Sequence, residues 1–416
     1  MPLMESQGGE HTFRGPPLRA AVLCCLFMVM QGVDTFGISY VAPLLGADFG
    51  IAPAQIGLVF AASVIASLVG AIGIAPLSDR FGRRRVLLVA VLLTGAPSLF
   101  IPLTRDMSML VVLRVIVGLG FGAALPVALA LVSDFAPARF RSRLVTLTTT
   151  AIVVGMSLSG LAASFMVPRF GWPWLLYASG AASMVAVTLG FLLLPESRPA
   201  PRRDLPAAPP VSAMRTLLQP NVLLRSALFG VVLTMSYIVL NFAVYWLPTV
   251  IYNEGYSVGD AGLIGSTRQL LTVALGFVVG FTMDRLGASR VLVVCHAAAM
   301  VLFMLVGGMS IFAALSLAVL LLGMSVLSAG LSGLLALVSA SYDASVRATA
   351  LGWVQGLSRV VGGSLGTYMG GVLLGAGWAQ QQLALAAGLA AAIGLTALVA
   401  AVSLGRGAAV ATGTCK

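Results

Sequence analysis

Apolar positions gather into twelve runs of span length, separated by short polar breaks. The runs fall near 20–43, 55–77, 86–104, 108–133, 143–167, 174–194, 223–251, 261–282, 289–308, 311–339, 347–374 and 382–404. About 20 mostly apolar residues are needed for a helix to cross a bilayer, so each run predicts one spanning helix. The one long polar break, 195–222, is rich in Pro and Arg, and Pro195, Pro199, Pro201, Pro206, Pro209 and Pro210 oppose a continuous helix there. It reads as a cytoplasmic linker. The predicted organisation is an N-terminal tail (1–19), a six-helix bundle (20–194), the linker (195–222), a second six-helix bundle (223–404) and a C-terminal tail (405–416). No cleaved signal is expected, because the first apolar run is of span length and no small-residue cleavage site follows it.

Composition excludes a soluble protein: 59% of the residues are apolar and 9% charged, with a mean hydropathy of +1.03, against about 25% charged in soluble domains. A net charge of +11 is compatible with a nucleic-acid partner, but its distribution points elsewhere. With both termini cytoplasmic, nineteen of the 24 basic residues fall in cytoplasmic segments, Arg105 and Arg169 fall outside, and Arg114, Arg268 and Arg359 lie within spans. That is the positive-inside pattern, so the partner expected is a bilayer and not nucleic acid. Cys24, Cys25, Cys295 and Cys415 fit no metal spacing. With two histidines and no nucleophile–base set, metal cluster or phosphate loop, neither an enzyme nor a bound cofactor is expected.

The two halves repeat each other. The second and third runs are joined by Leu77-Ser-Asp79-Arg80-Phe-Gly82-Arg83-Arg84-Arg85, and the eighth and ninth by Met283-Asp284-Arg285-Leu-Gly287-Ala-Ser-Arg290. Further along, Asp134-x-x-Pro-x-Arg139 matches Asp343-x-x-x-Arg347. Internal repeats of this kind mark secondary transporters.

On these residues the chain resembles the major facilitator superfamily, with Ala75 where that superfamily's loop signature usually has Gly. The implied fold is an all-α membrane protein of twelve transmembrane helices in two pseudo-symmetric six-helix bundles. In the latch that the resemblance implies, Asp79 and Asp134 pair with Arg80, Arg83, Arg84 and Arg139, and Asp284 stands with Arg285 and Arg290 in the second half. A topogenic charge cluster is the plainer alternative. More narrowly, the chain is similar to the aromatic acid:proton symporter family in Gln31-Gly32-Val33-Asp34 with Ala42-Pro43 in the first run, Arg114 to Pro126 in the fourth, Leu194-Pro195-Glu196-Ser197, Asn241-Phe242 with Trp246-Leu247-Pro248-Thr249, and Gly352-Trp353 with Gly356-x-x-Arg359. Gln31 stands where that family usually carries its first acid, so a two-carboxylate relay does not carry over.

Asp34 is the one acid deep within a span. A charge at mid-membrane costs about 2.5–3.5 kcal/mol on insertion scales, so Asp34 is expected to face a partner or a water-filled cavity. A carboxyl held between burial and a nearby guanidinium can load and release a proton. At about 1.5 Å per residue Asp34 lies roughly 14 Å from the outer end of its run, and Arg114 roughly 9 Å from the outer end of the fourth. The two are therefore expected at similar depth, as a proton-coupling pair or as a static ion pair. The surplus of buried guanidinium suits a carboxylate substrate, which Arg grips in a bidentate fork. Arg359 is the first choice for it. Arg268 follows, with snorkelling to the interface as its alternative. Asn241 and Tyr245, four apart on one helix face, with Phe36, Tyr40 and Trp353, are candidates for holding a ring, or are packing residues. His296 is expected at the periphery.

The function expected is proton-coupled import of a small organic anion, an aromatic carboxylate, by a monomer in the bacterial cytoplasmic membrane. The proton gradient would supply the energy. A proton-driven efflux antiporter is the alternative, although the fifth run lacks the Gly-Pro ending of such antiporters, having Gly160-Leu161. A non-transporting sensor would need a signalling domain that neither the linker nor the tails supply.

Overall fold

The structure, a computed structural model, describes residues 15–137, 139–196, 219–308, 313–342 and 346–411. Most of the expected linker and tails, and Asp343 with them, lie outside the described residues. Twelve long helices carry the fold: α1 (Pro16–Phe49), α2 (Pro53–Phe81), α3 (Arg83–Phe100), α4 (Met107–Phe135), α5 (Arg141–Phe170), α6 (Trp172–Leu193), α7 (Pro220–Tyr245), α8 (Val258–Leu286), α9 (Ala288–Gly308), α10 (Ala313–Ala340), α11 (Arg347–Gly375) and α12 (Gln380–Ala411). Eleven are long and apolar enough to cross a membrane. The twelfth, α11, has 29 residues but is diluted by Arg359, Gln355, glycines and hydroxyls. Such a helix needs protein or water on one side.

Local chemistry sets the ends. Gly50 closes α1 in the left-handed region at φ 64°. Ser257 and Asp260 form a reciprocal capping box at the start of α8. The repeated loop element has a backbone reason, because Gly82 and Gly287 adopt nearly the same conformation, φ 93° ψ 138° and φ 88° ψ 138°. A side chain at either position would be strained. The seventh apolar run, expected as one helix over 223–251, breaks at Trp246, and a short helix, Leu247–Asn253, follows. Pro248 in its first turn has no N–H to continue the ladder.

Within each half the helices pack around their own apolar clusters. A further cluster crosses between the halves: Leu45, Ile56 and Phe60 of the first half meet Trp246, Val250 and Leu374 of the second. This seam lies toward the face that carries the α1–α2 turn, opposite the termini. There α2 meets α11 so closely that a Cβ at Gly57 would stand 3.0 Å from the carbonyl oxygens of Thr367 and Tyr368. On the other flank α5 meets α8, and Ser266 Oγ donates to the Ser157 carbonyl at 2.7 Å. From mid-depth toward the face of the termini the halves separate. Gly73 of α2, Gly276 and Gly280 of α8, and Gly352 and Gly356 of α11 have no neighbour that a Cβ would meet. The molecule is closed at one face and open at the other.

Candidate substrate and coupling site

At the apex of the opening, both halves line a narrow space of about 10 Å³, room for roughly one water. Phe36, Ser39 and Tyr40 of α1 and Met156 of α5 form one wall. Leu247 and Pro248 of the short helix and Gly265, Arg268 and Gln269 of α8 form the other. Arg268 does not snorkel: only 4% of it is exposed, and Nη2 donates to Gln269 Oε1 at 2.6 Å. Its Nε and Nη1 have no hydrogen-bond partner. A buried guanidinium with open donors is costly, since each unsatisfied buried polar group forfeits roughly 1–3 kcal/mol, and more when charged. An anion entering this space would relieve that cost.

Deeper on the first-half side, Arg114 of α4 is fully buried. Its Nη2 donates to the Thr35 carbonyl at 2.9 Å, while Nε and Nη1 lack partners. Arg114 and Asp34 thus lie at the same level, yet no ion pair joins them among the described residues. Asp34, 1% exposed, instead accepts a hydrogen bond from Ser183 Oγ of α6. Of the two surroundings expected for it, a partner or a water-filled cavity, it has the first. Hydroxyls from the helices behind α1 provide its polar surroundings.

Tyr245 is buried, with its ring 5.6 Å from Phe36 and 4.8 Å from Phe60, within electrostatic reach of both Arg114 and Arg359. Phe36 also packs edge-on against Phe121 at 5.7 Å. Arg359 is exposed on the face of α11 nearest Tyr237. Two expected ring contacts stand elsewhere. Asn241 donates to the Tyr237 carbonyl of its own helix at 2.9 Å and packs by Gly363. Trp353, 60% exposed, lines an open apolar groove between α7 and α11 with Leu357 and Val361, away from Arg359. His296 is buried inside the second half and not at its periphery, between the Leu292 carbonyl and Ser236.

At the face of the termini the ion pairs among the described residues all belong to the first half. Arg83 pairs with Asp134 and donates to the Ala130 carbonyl at 2.9 Å. Asp79 also pairs with Arg83, at 3.8 Å. Arg84 pairs with Glu196 at 3.9 Å and lies over the Phe191 ring. Arg139 stacks on Phe140, and Arg285 on Phe281 with 4.2 Å to the ring centroid. For Arg80, Asp284 and Arg290 no ion pair occurs among the described residues. Among the described residues no pair bridges the two halves, as their separation at this face requires.

This geometry, an aromatic- and arginine-lined space between two similar bundles closed at one face, has counterparts among known proteins. Residues 22–367 match the sequence profile of the Major Facilitator Superfamily. The chain belongs to that superfamily. It is 32% identical over 412 residues to the 4-hydroxybenzoate transporter PcaK of Pseudomonas aeruginosa, covering 92% of this chain and 91% of that protein. It is 31% identical to the gallate transporter of Pseudomonas putida, covering 86% and 85%. Its fold matches the D-xylose-proton symporter with a TM-score of 0.72 at 18% identity, covering 93% of this chain and 97% of that one. This major facilitator is therefore a multi-pass membrane transporter of a small molecule and not an enzyme.

Several residues of this facilitator have surroundings that their sequence context did not assign. Gln31 is buried with both amide atoms unpartnered. Glu196 serves Arg84, and Asp48 accepts from Trp172 Nε1 at 2.5 Å. Ser183 carries no signal in the sequence.

Proposed function

We propose that this chain imports a small aromatic carboxylate together with protons across the bacterial cytoplasmic membrane, by alternating access. Both termini would face the cytoplasm. The observation that carries the reading is Arg268: a buried guanidinium with two nitrogens unpartnered, set in a space walled by Phe36 and Tyr40. A carboxylate matches the fork, and a ring would stack on Phe36 and Tyr40 once the walls part to admit it. The names of the relatives, transporters of 4-hydroxybenzoate and gallate, support that substrate class. Arg359, exposed on the wall of the opening, would meet the anion first and Arg268 would hold it. Tyr245 would close the slot between them. Asp34, with Arg114 beside it, would carry the proton, and no further cofactor is invoked. Under this reading the present state is inward-open, and closure would bring the charged loops around Asp79, Arg83, Asp134, Asp284 and Arg285 together as the latch.

The test is transport in proteoliposomes holding the purified protein. Labelled 4-hydroxybenzoate should accumulate when the outside is acidic, and accumulation should collapse with an uncoupler. Asp34→Asn should abolish accumulation while exchange of labelled for unlabelled substrate continues. Exchange lost equally with accumulation would make Asp34 structural, and expulsion of substrate by cells would favour the antiporter.

A further inference from the structure

On α1, Asp34 is two residues from Phe36 and six from Tyr40. At 3.6 residues per turn these spacings place Asp34 roughly opposite Phe36 and about a third of a turn from Tyr40, off the face that carries the rings. Phe36 and Tyr40 look into the space beside Arg268, whereas Asp34 looks back into the first half. Its Oδ2 accepts from Ser183 Oγ of α6, and the hydroxyls of Ser179, one turn earlier on α6, and Ser98 of α3 stand beside the same carboxyl. In this state Asp34 Oδ1 and Ser98 Oγ are buried without a hydrogen bond, and the Ser179 hydroxyl donates to the Leu176 carbonyl at 3.1 Å, so two of the three serines are free to rotate onto the carboxyl. No charged side chain of α3, α5 or α6 faces this cluster among the described residues. Arg114 of α4 is the charge in reach, and its Nη2 donates to the Thr35 carbonyl.

We infer that Ser98, Ser179 and Ser183 form a hydroxyl cradle that holds the coupling proton on Asp34, off the face of α1 that meets the substrate. The inference rests on the proton-coupled reading above. A serine hydroxyl both donates and accepts, and its proton swings about the Cβ–Oγ bond. When Asp34 is ionised, the hydroxyls donate to its oxygens. When it is protonated, its own O–H donates to one serine oxygen while the others donate to its carbonyl oxygen. Both states are therefore satisfied in a dry site, and neither leaves a buried group orphaned. A guanidinium serves only the ionised state. Uptake of the proton from outer water forms the O–H bond and release to inner water breaks it, with no other bond changed. Because proton and anion sit on different faces of one helix, they do not compete for a site. Each senses the other through the position of α1.

The deciding experiment follows the pH dependence of 4-hydroxybenzoate uptake in proteoliposomes for Ser183→Ala, Ser98→Ala and Ser183→Thr. Loss of a hydroxyl donor weakens the ionised carboxyl relative to the protonated one. The alkaline fall-off of uptake should then move to higher pH by about one unit per serine, the effect of one hydrogen bond to a charged group. Ser183→Thr, which keeps the hydroxyl, should return it toward the original position. If the alanine variants lower uptake at every pH without moving the fall-off, the serines are packing residues and the cradle is wrong, while loss of accumulation in Asp34→Asn would leave the proton reading standing. If Asp34→Asn still accumulates substrate, the proton reading itself fails.

Discussion

Arg268 and Ser183 mark the two extremes of what single residues disclose. The membrane makes an ionisable side chain conspicuous, since no span tolerates one without cause. Asp34, Arg114, Arg268 and Arg359 therefore stood out from the sequence. Serine is silent. In this protein Thr94, Thr148 and Ser236 donate to carbonyls four residues back in their own helices, the usual use of a hydroxyl in a membrane helix, and nothing in its spacing sets Ser183 apart from them. Rotation about the helix axis is equally hidden, which is why Trp353 read as a ring contact and stands in an apolar groove. Substitution separates the two arginines. Arg268→Lys keeps charge but loses the planar fork, and KM for 4-hydroxybenzoate uptake should rise at least tenfold. Arg359→Ala, on the exposed wall, should have a smaller effect on KM in the same assay.

At the level of the helix, periodic apolar runs located every long element, because membrane length and backbone satisfaction leave little choice but helix. The break at Trp246 was missed. Pro248 sits in an apolar stretch long enough for one span, and only packing reveals that Trp246 Nε1 donates to the Thr367 carbonyl of α11 at 2.7 Å. Small residues at the seams permit close approach, so bulk there should act on closure. Gly57→Leu would drive a side chain into the Thr367 and Tyr368 carbonyls. Uptake should fall by an order of magnitude or more, and a cysteine placed near Pro53 should become more accessible to thiol reagent. Gly82→Ala meets a different obstacle: φ 93° is unfavourable for any side chain. A loss of about 1–3 kcal/mol is expected, read as a lower melting temperature with substrate affinity retained.

For the molecule as a whole, the repeat and the arginine distribution carried the two-bundle fold, whereas the relation of one bundle to the other left no trace in sequence. A transporter visits both faces with one set of residues, so composition cannot record which face is closed. Sidedness is open to measurement. In a Cys415→Ser background the remaining cysteines, Cys24, Cys25 and Cys295, are buried or half-buried. A single cysteine at Gly50 should react with membrane-impermeant maleimide in intact cells. One at Gly287 should react only after the membrane is permeabilised, and the reverse result would invert the topology.

The seam of Leu45, Ile56, Phe60, Trp246 and Leu374 is the thin part of the barrier. Water filling the opening would extend the adjoining bath to mid-depth, and the transmembrane voltage would then fall mainly across this short dry plug. Moving one net charge through such a plug is worth about 2.3 kcal/mol per 100 mV. One carboxylate accompanied by one proton crosses without net charge and is indifferent to membrane potential. Each additional proton per cycle would make the carrier a current source.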